Sequence, residues 1–163
     1  MTRPGGSLVM PIIVAAAAAS AIAFMGATVT EIGPWYHSLR QPAWAPSDAA
    51  YGIAWTIIYA LTALAAVAAW SGARTRGEAE WIVGLFALNG FLNLSWSLLG
   101  FRLHRPDWAV AESVLLWLSV LSLVIVCGRG SRAAAVMLLP YLAWVSFALT
   151  LNVNVAQLNG PFA

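Results

Sequence analysis

Lysine is missing from this chain, cysteine occurs once, histidine twice, and charged residues make up only 9% of 163 positions. Each shortage excludes something. Without lysine there is no Schiff-base chemistry with retinal or pyridoxal phosphate. A single cysteine, Cys127, permits neither an internal disulfide nor a thiolate metal cluster. His37 and His104 both fall between apolar segments, so a buried bis-histidine haem site is not expected, nor any other metal site. A soluble domain carries about a quarter charged residues, so a chain this poor in charge belongs in lipid. No alternation of polar and apolar residues in segments of ~10 is visible, which argues against a membrane β-barrel.

What the chain has in quantity is apolar length. Hydrophobic residues reach 61%, and the mean hydropathy is +0.81. Five apolar stretches can be read, at residues 8–27, 50–71, 81–101, 108–127 and 133–155. Each holds about 20 residues, enough to cross a hydrocarbon core of roughly 30 Å as helix. Apart from the 28–49 loop the connections are short. The expected architecture is therefore all-α: a five-helix transmembrane bundle forming one membrane domain over residues 1–163.

The first stretch also has the look of a secretory signal peptide, with Arg3, an alanine-rich run and small residues near its end. Read as a retained span, it places Pro11 in its first turn, where proline costs little. Ala15, Ala19 and Ala23 then form a stripe that lets another helix come close.

All eight basic residues are arginine, and the pI near 9.1 reflects that small surplus rather than a nucleic-acid surface. With five crossings, Arg3, Arg74, Arg76, Arg129 and Arg132 share one side, and Arg40, Arg102 and Arg105 the other. The bias places the N-terminus in the cytoplasm and the long first loop outside.

That loop is dense in aromatics and proline: Trp35, Tyr36, Pro42, Trp44 and Pro46 lead directly into the second span. At 100° per residue, Tyr51, Trp55, Tyr59 and Thr62 share one stripe of that span. Asn89, Asn93, Trp96 and Gly100 share a stripe of the third span, and Trp108, Glu112 and Ser119 one of the fourth. Tyr141, Trp144, Ala148 and Asn152 share a stripe of the fifth. Asparagine facing lipid would leave its amide unpaired at a cost of a few kcal/mol, so these stripes are expected to face inward. Together they describe a polar-flecked aromatic cavity beneath the loop, the usual character of a small-molecule site.

Plainer readings stand beside this one. Trp70, Trp81 and Trp108 flank loops and read as interfacial anchors. Asn89 and Asn93 serve equally well as bonds between helices, each worth ~1 kcal/mol. Glu112 is a costly carboxylate within a span, a usual mark of function; one turn from the interface, it is expected to reach water or pair with Arg102 or Arg105. Pro140 removes one backbone hydrogen bond and is expected to kink the last helix.

Taken in order, Trp35-Tyr36, Leu39, Pro42, Trp44 and Pro46, then Trp55 and Tyr59, Asn93 and Trp96 form a recognisable series. The last span continues it with Pro140-Tyr141-Leu142-Ala143-Trp144, Phe147-Ala148, Leu151-Asn152 and Leu158-Asn159. Over about residues 33–159 the chain resembles the tryptophan-rich sensory protein and translocator protein family (TspO/MBR, the peripheral-type benzodiazepine receptor). That resemblance implies a homodimer of five-helix bundles in the bacterial cell envelope, placed in the cell membrane as a receptor or carrier. It implies binding of protoporphyrin IX-like porphyrins and flat hydrophobic drugs, with no cofactor required. By position, the pocket residues it implies are Trp44, Tyr51, Trp55, Asn93, Trp96, Tyr141, Trp144, Phe147 and Ala148; the stripes add Tyr59, Asn89 and Asn152.

Two departures stand out. The family loop usually reads Trp-x-Pro-Pro, whereas Trp44-Ala45-Pro46 is followed here by Ser47, so a looser lid is expected. No basic residue follows Tyr141 closely, so sterol recognition by that motif is not supported.

A porphyrin is a flat π system with anionic propionates at one edge. Tryptophan faces can stack on it, and Arg40, Arg102 or Arg105 can meet the propionates. The alternative is an enzyme that degrades porphyrin with light and oxygen, for which the resemblance points to Trp55 and Trp144. A small proton-coupled or multidrug transporter ranks below both, because Glu112 is single and shallow and no internal repeat is seen. No acid–base pair or nucleophile–base set for hydrolysis or group transfer appears.

Overall fold

The computed structural model describes residues 8–162. Five long helices cross the membrane thickness: α1 (Val9–Val29), α3 (Asp48–Gly72), α4 (Arg76–Ser97), α5 (Pro106–Gly130) and α6 (Arg132–Asn159). A short helix, α2 (Pro34–Ser38), lies in the first loop, and α4 ends in a π-helical turn, Leu98–Arg102. Arg3, one of the arginines in the orientation count, lies outside the described residues.

The helices overrun the apolar runs because capping residues, not hydropathy, end them. Thr75 Oγ1 accepts the Glu78 backbone N–H at 3.1 Å, and Glu78 Oε2 accepts the Arg74 N–H at 2.8 Å. This T-x-x-E start places the beginning of α4 at Arg76, five residues before Trp81. Ser131 likewise caps α6, accepting from the Ala134 N–H at 3.3 Å. Proline at the start of α2 and of α5 supplies the fixed φ of a first turn.

In cross-section the order runs α1, α3, α6, α5, α4 and back to α1. Apolar burial drives little of this packing in lipid, where close approach and hydrogen bonds take over. Near the α5–α6 connection the core is mostly small: Ala65, Ala69, Ala73, Ala79 and Ala134 around Ile82, Leu123 and Leu138. There α3 and α5 meet backbone to backbone, since a Cβ on Gly72 would sit 2.6 Å from the Gly130 carbonyl oxygen. Toward the lid the core turns aromatic, with Tyr141 among Ile58, Leu116, Val120 and Val145, and Trp55, Trp96, Trp117 and Trp144 packed around them.

α1 is the outlier. It leans on α3 and α4, and Gly26 is its one buried residue. α6 runs unbroken through Pro140, which points outward, so the lost hydrogen bond falls on its outer face. Trp81 and Trp108 are more than half exposed, and the Arg105 guanidinium lies 4.3 Å above the Trp108 ring, as suits interfacial anchors. Trp70 instead packs against the alanine-rich core.

Candidate ligand-binding hollow

Where α1 faces α3 and α4, the bundle is not filled. A hollow of about 680 Å³ lies there, within the range of small-molecule sites. One wall is small, formed by Ala16, Ala19, Ser20, Ala23 and Ala27 of α1. The opposite wall is aromatic: Tyr51, Trp55 and Tyr59 of α3, Trp96 of α4 and Phe101 of the π-helical turn, with Tyr36 of α2 above. Spacing explains the α3 contribution, because residues four apart lie on one face.

Trp55 is the hub of the aromatic wall. Its ring stacks on Tyr59 at 5.4 Å and meets Trp96 at 6.5 Å, Tyr141 at 6.0 Å and Trp144 at 6.4 Å. With neighbours on so many sides it has little rotamer freedom, so it presents a preformed surface. Behind it, against α5 and α6, remains a void of only about 10 Å³ lined by Trp96, Ser113, Leu116, Val145, Ala148 and Leu149.

The first loop is fastened across the mouth. Trp35 stacks on His104 at 4.0 Å with an 18° interplanar angle, and His104 adopts the left-handed φ of 56°. Tyr36 packs on Phe101 at 5.5 Å, and Arg102 pairs with Glu31 at 3.0 Å. At the loop's far end Asn159 Oδ1 accepts the Arg40 N–H at 2.7 Å while its Nδ2 donates to the Arg40 carbonyl at 2.9 Å. Trp44 sits edge-on to Phe147 at 5.6 Å.

Asn89 and Asn93 are occupied between helices, whereas the buried Asn152 Nδ2 has no partner among the described residues. Tyr59 Oη donates to Asn93 Oδ1 at 2.9 Å, and Asn93 Nδ2 donates to Tyr141 Oη at 3.3 Å. Asn89 Nδ2 donates to Ser119 Oγ at 2.8 Å.

Residues 12–158 match the model of the TspO/MBR family. The chain is 35% identical to the tryptophan-rich protein TspO of Chlorobaculum tepidum, over 85% of this chain and 89% of that one. It is 30% identical to a tryptophan-rich sensory protein of Cereibacter sphaeroides, over 77% of each chain. Similarity extends to the translocator protein of Bos taurus, 31% identical over 83% of this chain and 82% of that one. The chain belongs to the TspO/MBR family.

The geometry redistributes the residues that sequence singled out in this TspO/MBR protein. Tyr51, Trp55, Tyr59 and Trp96 line the hollow. Trp44, Asn89, Asn93, Tyr141, Trp144, Phe147, Ala148 and Asn152 do not. Inward-facing stripes were expected to share one cavity, but Tyr141 and Trp144 of α6 pack against Trp55 and Ser119 of α5 bonds Asn89 instead. The room opens on the other side, where α1 offers only small side chains.

Glu112 differs from expectation too. It is 8% exposed and neither carboxylate oxygen has a hydrogen-bond partner, while Arg102 is held by Glu31 and Arg105 by Asp107 at 2.6 Å. Both arginines are committed elsewhere, so no cation among the described residues pairs with it. Nor does any arginine among the described residues line the hollow.

Sequence reasoning passed over Tyr36, Asp48, Phe101 and the α1 wall as site residues. The Ala19–Ala23 spacing was the available signal for that wall, read as close helix contact rather than space. Phe101 had none, because a π-helical turn shifts the face of every residue beyond it.

Proposed function

We propose that this TspO/MBR protein is a membrane receptor or carrier that binds flat hydrophobic ligands of the protoporphyrin IX class in the hollow beneath the first loop. The observation that carries this reading is the preformed face of Trp55, ringed by Tyr51, Tyr59, Trp96 and Phe101 across from a wall of alanines. Such a slot accepts a planar π system by stacking on one side and close apolar contact on the other. The names of its relatives, a sensory protein and a translocator, agree with a receptor or carrier role. A ligand there touches Tyr36 of the lid and Phe101 of the π-helical turn, so occupancy is felt at the membrane surface. We place it in the cell membrane as a homodimer with a cytoplasmic N-terminus.

The test is quenching of tryptophan fluorescence by protoporphyrin IX. Trp55→Ala is expected to weaken the titration at least fivefold, in line with about one to three kcal/mol of stacking per ring, and Trp144→Ala by less. Identical titrations for wild type and Trp55→Ala would remove the assignment.

A second reading, light-driven breakdown of the bound porphyrin, draws on the Trp55–Trp144 ring pair at 6.4 Å, which connects the hollow's wall to the bundle interior. Loss of porphyrin absorbance under light and oxygen, abolished by Trp55→Phe with binding retained, would support it. Equal bleaching with and without protein would dismiss it.

A further inference from the structure

We infer that the hollow selects ligands whose polar edge is cationic or donor-bearing, and that Asp48 reads that edge. This rests on the hollow being the ligand site and adds the charge class of the ligand. Among the described residues lining it, Asp48 alone carries a formal charge. It stands at the start of α3, below Tyr36, where the hollow meets the loop.

Two of the three arginines near the mouth are committed elsewhere, and the third, Arg40, is exposed on the loop and does not line the hollow. Arg102 is paired with Glu31 at 3.0 Å, and Arg105 is held by Asp107. His37 Nε2 lies 3.7 Å from Asp48 Oδ2, and both side chains are about half exposed. One turn deeper, the Tyr51 hydroxyl is buried in the same wall, with the Tyr36 hydroxyl as a polar neighbour and room to accept a further hydrogen bond. An amine or amide N–H at the ligand's upper edge can therefore donate to Asp48 and to the Tyr51 oxygen. A carboxylate at that edge meets a like charge, and no guanidinium lines the hollow beside it. A tetrapyrrole is then taken more readily with its acid groups esterified, or with them turned out past the lid into water.

Asp48 has a simpler role available, as the acidic first-turn residue that complements the helix dipole. Under that role alone it sets helix stability and leaves ligand choice unchanged.

The experiment uses the full chain in nanodiscs of zwitterionic phosphatidylcholine, with two probes of one ring system: 9-aminoacridine, a planar cation, and acridine-9-carboxylate. Wild type is expected to bind the cation about three- to fivefold more tightly by tryptophan quenching, a preference that shrinks with salt. Asp48→Asn is expected to bring the two affinities together. If saturable quenching is lost in Trp55→Ala, yet Asp48→Asn leaves the ratio unchanged or wild type prefers the carboxylate, the charge assignment is overturned alone. If neither probe quenches saturably while protoporphyrin IX does, the charge assignment is overturned; if protoporphyrin IX fails as well, the hollow falls as a ligand site and the assignment falls with it.

Discussion

Tyr59 donates its hydroxyl hydrogen to Asn93 Oδ1 at 2.9 Å, so the residue that lines the hollow from α3 is anchored to α4 inside the bundle. Asn93 is 2% exposed and passes the chain on to Tyr141 at 3.3 Å. One amide thereby ties together α3, α4 and α6. Replacing it with leucine removes a partner from two phenol hydroxyls, each a loss of about 1 kcal/mol. Asn93→Leu is expected to lower stability by about 2 kcal/mol in a reversible unfolding titration. Asn89→Leu, which breaks the 2.8 Å bond to Ser119 and a weaker contact with Tyr141, is expected to cost about half that.

Glu112 lacks a partner for either oxygen, so its amide counterpart loses nothing and avoids burying a carboxylate. Glu112→Gln is expected to keep or raise the melting temperature, by up to ~3 °C in detergent. A clear drop would mean that the carboxylate has a partner it requires.

The lid is fastened at Arg40 by two hydrogen bonds from one side chain, Asn159. Asn159→Ala removes both at a site near the surface, where stability changes little. Trypsin cleavage after Arg40 is expected to accelerate several-fold while the melting temperature stays within a few degrees. Unchanged cleavage would show that Trp35–His104 and Trp44–Phe147 hold the loop unaided.

Gly72 and Gly130 touch through backbone atoms, with no flexible side chain to give way. Gly72→Ala must push α3 and α5 apart and is expected to destabilise by about 1–3 kcal/mol. Gly84, whose added Cβ would meet nothing within 4 Å, is the control: Gly84→Ala is expected to be neutral or stabilising.

The five spans were legible in the sequence because crossing a bilayer is a local demand: about 20 apolar residues with the backbone bonded internally. The inward direction of the Asn89–Asn93 and Tyr51–Tyr59 stripes was legible too, from helical periodicity and the cost of an amide in lipid. Whether an inward group lines a space or bonds a neighbour is not local. Asn93 and Trp55 obey the same rule on paper, yet one ends between two phenols and the other against the hollow. Tertiary structure decided this through the one helix whose facing side chains are too small to fill the gap. Ala16, Ala19, Ser20 and Ala23 leave space between α1 and the wall of Tyr59 and Trp55, and the position of that wall depends on how α3, α4 and α6 pack among themselves.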